Sequence, residues 1–180
     1  SLFPGGRRHI TGNRCEKGAG IKLANKTENM YEYKLEQLEA YGEKKPHGKP
    51  IARVGIPMAL SYYDMLPFFH TMLTELGFEV VLSDESSRDT YYRGQQTIPS
   101  DTVCYPAKLA HGHILNLLDK GVDFIFYPCM SYNIDEGQAD NHYNCPVVAY
   151  YPELLKANIP DLNSSNFITP YLDINFKKNT

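Results

Sequence analysis

The stretch ARVGIPMALSYYDMLPFFHTMLTELGFEVVL, residues 52–82, decides the fold. Its two ends, Ala52–Pro57 and Phe78–Leu82, are short apolar runs bounded by proline or glycine, and such runs are typical of buried strands. The apolar residues between them recur at the spacing of one helical face, at Met65, Phe69, Met72, Leu73 and Leu76. The stretch therefore predicts a strand, a helix and a second strand.

Local signals predict where this helix begins and ends. Asp64 has the residue type of an N-cap, and Pro67 would fall in the first turn, where its missing N–H removes no hydrogen bond. Gly77 follows the last apolar residue and is predicted to end the helix as a left-handed C′ residue.

The same alternation continues along the chain. Ser86 and Ser87 are predicted to cap a short helix that runs to about Gln96, and residues 97–104 read as an extended segment. An amphipathic helix is predicted from Pro106 to Gly121. The remaining predicted elements are strands at 122–127, 146–150 and 166–169 and a short helix at 152–158.

Strands that alternate with helices through short loops are typical of parallel α/β sheets. We therefore predict an open, Rossmann-like or flavodoxin-like α/β domain, mostly parallel, with helices on both faces of the sheet. Residues 1–50 carry ten basic and six acidic side chains, whereas residues 51–180 carry eight and fifteen. The change of sign predicts a basic N-terminal segment and linker over 1–50, with a polar helix or linker at 26–41, and the α/β domain over 51–180.

Composition excludes several classes of protein. A net charge of −3 and a pI of about 6.1 argue against a nucleic-acid binder, and no apolar run approaches the roughly 20 residues of a membrane span. Four cysteines in 180 residues do not make a disulfide scaffold. With no signal peptide at the start, we expect a cytoplasmic protein; because the sequence starts at Ser1 and not at Met, we expect a piece of a longer chain.

The cysteines are the candidate functional residues. Cys104 precedes a predicted helix and Cys129 follows a predicted strand, so both are expected at the sheet edge where α/β domains bind ligands. A helix N-terminus stabilises a thiolate or an anionic metal cluster. Cys145 is predicted at the start of a strand, and Cys15 lies in a turn-like basic segment. No CxxC pair is present, so each cysteine alone is also compatible with a small buried apolar residue.

Other motifs give weaker evidence for a function. Gly18-Ala-Gly20 follows no strand, and no phosphate-binding loop of the GxxxxGK[ST] type occurs in the sequence. His111 and His113 lie two residues apart on a predicted helix, where they do not share a face, so a chelating pair is not expected.

Three strings resemble an uncharacterised domain of the CoA-substrate-specific enzyme activases, proteins related to the activator of 2-hydroxyglutaryl-CoA dehydratase. They are IPSDTVCYPAKLAHGH (98–113), FIFYPC (124–129) and NHYNCPVV (141–148), and the resemblance extends from about Arg53 to Phe176. The segment GNRCEKG (12–18) also resembles a stretch that precedes this domain in such proteins.

The resemblance implies a cofactor and partners. The domain is similar to the dehydratase subunits in which three cysteines hold a [4Fe–4S] cluster, and two of these three correspond to Cys104 and Cys129. The third comes from a later domain in those subunits, and Cys145 or Cys15 is a possible substitute; Lys108 would add positive charge near the cluster. The implied partners are ATPase domains of the activase or a dehydratase subunit, with a CoA ester as ligand.

Three hypotheses remain open from the sequence. The first is an iron–sulfur domain that relays electrons or supports dehydration of CoA esters. The second is a non-catalytic docking or ligand-binding domain of a larger enzyme, in which the cysteines are structural. The third is a zinc site made from the four cysteines.

Overall fold

The computed structural model describes residues 28–135, 137–138 and 140–173. The chain divides into two units between Lys34 and Leu35. The described helices are α1 (Met30–Gly42), α2 (Tyr62–Glu75), α3 (Arg88–Gly94), α4 (Tyr105–Asp119) and α5 (Pro146–Asn158), with a 3-10 turn at Gln95–Thr97. The described strands are β1 (Arg53–Ile56), β2 (Glu79–Leu82), β3 (Phe124–Phe126) and β4 (Phe167–Ile168). None of the described helices is long and apolar enough to cross a membrane.

The four strands form one parallel sheet in the order β2-β1-β3-β4. The chain moves from β1 outward to β2, returns past β1 to β3, and continues to β4. The strand order therefore reverses between β1 and β3, the kind of position beside which open α/β sheets bind ligands. The prediction of an open, parallel α/β domain is confirmed.

Helices cover both faces of this sheet. On one face, Phe69 of α2 packs its ring 5.6 Å from that of Phe126 in β3. On the other face, Leu117 of α4 lies so close to Gly55 of β1 that a β-carbon there would be 3.1 Å from its side chain. Both sides of the sheet are thus removed from water, which is the main source of stability in such a fold.

The start of α2 differs from the sequence prediction. The N-cap is Ser61, not Asp64, and Asp64 is an acidic residue of the first turn. Leu60 has a φ of +52°, so the chain turns sharply before Ser61 and the helix begins earlier than the apolar spacing indicates. Pro67 consequently lies inside the helix. The predicted helix end is confirmed, because Gly77 has a φ of +91°.

The prediction of a strand at 146–150 is wrong, because these residues form the first turns of α5. Val147 and Val148 give the segment a strand-like composition, but Pro146 is a favourable first residue for a helix. The buried residues of α5 are Ala149, Tyr151, Pro152 and Leu155, and packing of this face decides for the helix. Residues 97–104, predicted as an extended segment, end the 3-10 turn at Thr97 and continue as a loop with a turn at 101–102.

Helices α3 and α4 approach each other at two glycines. A β-carbon on Gly94 would lie 2.4 Å from the backbone nitrogen of Gly112. A β-carbon on Gly112 would lie 1.8 Å from the carbonyl oxygen of Thr90. The backbones are therefore in direct contact, and α3 keeps a fixed position on α4. The domain boundary near residue 50 stays a prediction.

Candidate functional site

Helix α4 places Cys104 at the carboxyl edge of the sheet. The C-terminal end of α4 lies at the amino end of β1, where the Arg53 guanidinium donates to the carbonyl oxygens of Lys120 at 3.0 Å and Gly121 at 2.9 Å. The opposite end of the helix therefore reaches the carboxyl edge. There Cys104 is the N-cap residue, is exposed, and makes no capping bond with its side chain.

Helix α5 places Cys145 at the same edge. The chain leaving α5 reaches the amino end of the sheet, where Ile125 of β3 donates its N–H to the Asn166 carbonyl at 2.8 Å. Cys145 is the N-cap of α5 and not the first residue of a strand, so that prediction is corrected. Its φ and ψ of −61° and 153° match the −61° and 152° of Cys104. Both thiols are thus exposed groups before a helix that has proline as its first or second residue.

Cys129 lies beyond the end of β3 and is completely buried. Its N–H donates to the Pro170 carbonyl at 2.8 Å, and its own carbonyl accepts the Leu172 N–H at 3.0 Å. These two bonds hold its backbone against the segment after β4. Burial raises the pKa of the Cys129 thiol to about 11, so the thiol is protonated at neutral pH.

Two buried tyrosines connect the surroundings of Cys129 and Cys104. Burial is the main cause that raises the pKa of Tyr127, and the neighbouring Tyr151 and Cys129 add to it. Burial also raises the pKa of Tyr151 to about 12, with a further contribution from Cys104. The Tyr127 hydroxyl has no hydrogen-bond partner although it is buried. A buried hydroxyl without a partner is costly to the folded state.

His111 holds Tyr151 in place from α4. Its Nδ1 lies 2.7 Å from the Thr97 hydroxyl and its Nε2 lies 3.0 Å from the Tyr151 hydroxyl. Because the Thr97 hydroxyl donates to the Gly94 carbonyl at 2.8 Å, the proton of the imidazole is on Nδ1 and Nε2 accepts from Tyr151. Burial lowers the pKa of His111 to about 4, so the ring is neutral at pH 7.

Comparison with protein families matches residues 53–180 to the CoA enzyme activase uncharacterised domain. The chain belongs to this family. Comparison with curated proteins gave no match, and comparison with solved structures gave none either. The resemblance predicted from the three sequence strings is therefore confirmed at the level of the family.

In this activase domain, the cysteines at the carboxyl edge have the residue type that binds iron–sulfur clusters, but in the described part of the chain their side chains are not grouped as a metal site. Cys104, Cys129 and Cys145 all lie at that edge, and thiolates are the ligands of such clusters. Within residues 28–135, 137–138 and 140–173, however, no three His, Cys, Asp or Glu side chains are grouped so that they would hold one metal ion. Cys15 lies outside the described residues.

The side chain of Lys108 contacts the loop before α4. Its ammonium group donates to the Asp101 carbonyl at 2.8 Å and lies 4.0 Å from the Asp101 carboxylate. The lysine therefore ties the first turn of α4 to the loop before it. The role of Lys108 near a cofactor stays a prediction.

Sequence reasoning found the cysteines of the activase domain but missed the residues between them. Tyr127 is the last residue of a predicted strand and Tyr151 lies between a predicted strand and a predicted helix, and no local pattern distinguishes either of them. The two histidines of α4 do have different partners, as their spacing predicts: His111 contacts Thr97 and Tyr151, and His113 contacts two serines. A signal was available in the pair, since two histidines on a buried helix need hydrogen-bonding partners.

Proposed function

We propose that this activase domain binds a [4Fe–4S] cluster through Cys104 and Cys129 and works within a dehydratase–activase system on CoA esters. Its partners would be the ATPase domains of the activase or a dehydratase subunit. The observation that carries the proposal is the arrival of Cys104, Cys129 and Cys145 at one carboxyl edge of a parallel sheet, from three separate parts of the chain.

The proposal requires at least one more ligand. Cys145 is the candidate within the described residues, Cys15 is the candidate outside them, and a cysteine of another domain is the third possibility. When bound, a cluster of this kind would accept and donate single electrons. The N-terminus of α4, directly after Cys104, would stabilise the negative charge of the thiolate-bound cluster.

The buried thiol makes ligand binding depend on pH. Cys129 has to lose its proton before it binds a metal, and its pKa is raised to about 11. Cluster loading is therefore expected to release a proton and to become more favourable as the pH rises. The hydroxyl of Tyr127, which has no partner, is available as a hydrogen-bond donor beside this thiolate.

The direct test is anaerobic purification of the intact parent chain, followed by iron and acid-labile sulfide analysis and a near-visible spectrum. The proposal expects bound iron and sulfide, both lost in the Cys104→Ser and Cys129→Ser variants. Cys145→Ser tests the third ligand: loss of the cluster would assign it to Cys145, and retention would leave Cys15 or a cysteine of another domain. Retention of the cluster in both of the first two variants would contradict the proposal, and zinc in place of iron would select a structural zinc site.

One observation favours a second function, a docking domain with structural cysteines. Tyrosines with half or more of their surface exposed surround the same edge: Tyr105, Tyr143, Tyr150 and Tyr171. Tyrosine is enriched at protein interfaces because it combines a large apolar ring with a polar end. Full activity of the parent enzyme after Cys104→Ser, together with lost partner binding after Tyr171→Ala, would favour docking over cluster binding.

A further inference from the structure

A series of hydrogen bonds that includes none of the cysteines runs beside β2. It begins at the Met58 N–H, which donates to the Ser83 hydroxyl at 2.8 Å. That hydroxyl lies 2.8 Å from Nδ1 of His113, and Nε2 of His113 lies 2.9 Å from the hydroxyl of Ser86. The Ser86 hydroxyl lies 3.3 Å from that of Tyr63. Five groups from α2, α4 and two loops are thus connected in series.

The first hydrogen bond determines which group donates in each of the following ones. The Met58 N–H is a donor only, so it uses one lone pair of the buried Ser83 oxygen. The Ser83 proton then has one available acceptor among the contacts of this residue, which is Nδ1 of His113. The reverse arrangement would leave a buried hydroxyl proton without an acceptor, which is unfavourable. His113 therefore carries its own proton on Nε2 and donates it to Ser86.

The same direction continues to Tyr63. Once the Ser86 oxygen accepts from His113, its proton is free for the Tyr63 oxygen, and Tyr63 keeps its own proton for another acceptor. Hydrogen bonds in series polarise one another, so the last hydroxyl is a stronger donor than an isolated phenol. Among the described contacts the Tyr63 hydroxyl has no acceptor other than Ser86.

Tyr63 lines a cavity of about 300 Å³ at the carboxyl ends of β1 and β2. Its apolar wall consists of Leu35, Met58 and Leu82, and Glu39 and Glu85 lie at its lining as well. This volume is at the lower end of the range for small-molecule sites, which run from roughly 300 Å³ upward. Contact with Glu85 raises the pKa of Glu39, which reflects an excess of negative charge there and disfavours an anionic ligand.

We propose that this cavity binds a small uncharged molecule that has an apolar body and a carbonyl oxygen, with the Tyr63 hydroxyl as its hydrogen-bond donor. The apolar wall takes the body of the molecule, and the series of bonds from Met58 to Tyr63 supplies the polar contact. The carboxylates exclude acids from the cavity. The cavity lies at the β1–β2 part of the carboxyl edge and no cysteine lines it, so it stands whether or not a cluster binds to the cysteines.

The test uses three probes that share one ring: cyclohexanone, cyclohexylamine and cyclohexanecarboxylate. The full 180-residue chain is labelled at its methionine methyl groups, and the Met58 signal is followed by NMR during titration. The proposal expects a saturable shift with cyclohexanone and none with the carboxylate. Tyr63→Phe is expected to weaken the ketone about fivefold, the value of one ordinary hydrogen bond.

Two further variants complete the experiment. Ser86→Ala interrupts the series of hydrogen bonds without altering the cavity wall, and it should also weaken binding of the ketone. Tyr92→Phe is the matched control, because this tyrosine is 60% exposed and outside the cavity, and it should leave the affinity unchanged. The proposal is overturned if cyclohexanone gives no saturable shift, if Tyr63→Phe binds it as tightly as the natural chain, or if cyclohexylamine binds more tightly than the ketone.

The direction of donation along the series of hydrogen bonds can be tested independently. Nitrogen-15 NMR distinguishes the two neutral forms of histidine, and the proposal requires the proton of His113 on Nε2. His111 serves as an internal reference, because its contacts put the proton on Nδ1. A proton on Nδ1 of His113 would overturn the proposed direction.

Discussion

Replacing Gly112 by alanine is expected to separate α3 from α4. A β-carbon at this position would lie 1.8 Å from the Thr90 carbonyl oxygen, whereas real β-carbons stay at least 3.0 Å from such atoms. The obstacle is backbone, so no side-chain rotation can relieve the clash. Helix α3 would have to move by more than 1 Å, and its N-cap Ser87 directly follows Ser86, whose hydroxyl lies 2.9 Å from Nε2 of His113 in α4.

The size of the effect follows from two opposing terms. Overpacking of a close contact costs roughly 1–3 kcal/mol, and a backbone clash belongs at the upper end of this range. Alanine recovers about 1 kcal/mol of helix propensity relative to glycine. The net loss for Gly112→Ala is therefore about 2 kcal/mol in the free energy of unfolding. For a chain of this size, that loss lowers the melting temperature by roughly 4–8 °C.

The assay is thermal unfolding followed by circular dichroism. Gly42→Ala is the matched control, since its added β-carbon would meet only the end of the Leu82 side chain, at 2.7 Å, and this side chain can move. The control should melt within about 2 °C of the natural chain, the shift of a change under 1 kcal/mol. A melting temperature for Gly112→Ala that equals or exceeds the natural value would refute the contact between the two helices.

Two further predictions concern titration and reactivity. Burial lowers the pKa of His111 and of His113 from 6.5 to about 4, so the unfolded chain binds more protons between these pH values and stability falls as the pH drops from 6.5 to 4. Each histidine accounts for up to about 3 kcal/mol of the free energy of unfolding, at 1.36 kcal/mol per pKa unit. This free energy, measured by urea unfolding at several pH values, should fall less steeply with decreasing pH in His113→Asn than in the natural chain. An identical dependence on pH in the two proteins would contradict this prediction. In the folded chain at pH 7.5, iodoacetamide should modify the exposed Cys104 and Cys145 within minutes while the buried Cys129 reacts only after unfolding. Peptide mass spectrometry checks this order, and early modification of Cys129 would show that its thiol is accessible in the folded chain.

The elements that the sequence predicted well are those whose pattern is local. Helix α4 was recognised because Ala110, Ile114 and Leu117 repeat at helical spacing and glycine follows its end. Strands β1 and β2 were recognised as apolar runs on either side of α2. Residues 146–150 were predicted as a strand because proline and two valines fit a strand or a buried helix equally well.

For the candidate site, the sequence by itself placed Cys104 and Cys129 at the carboxyl edge of the sheet, whereas it placed Cys145 at the start of a strand that is a helix. Chain order and parallel strands are enough for that, because every α/β crossover returns the chain to the same edge. Only the tertiary structure decided that Tyr151 meets His111, that Tyr63 follows Ser86 and His113, and that three metal ligands do not come together among the described residues. These contacts depend on how far helices from distant segments approach one another, and that distance is determined by the side chains of both partners together.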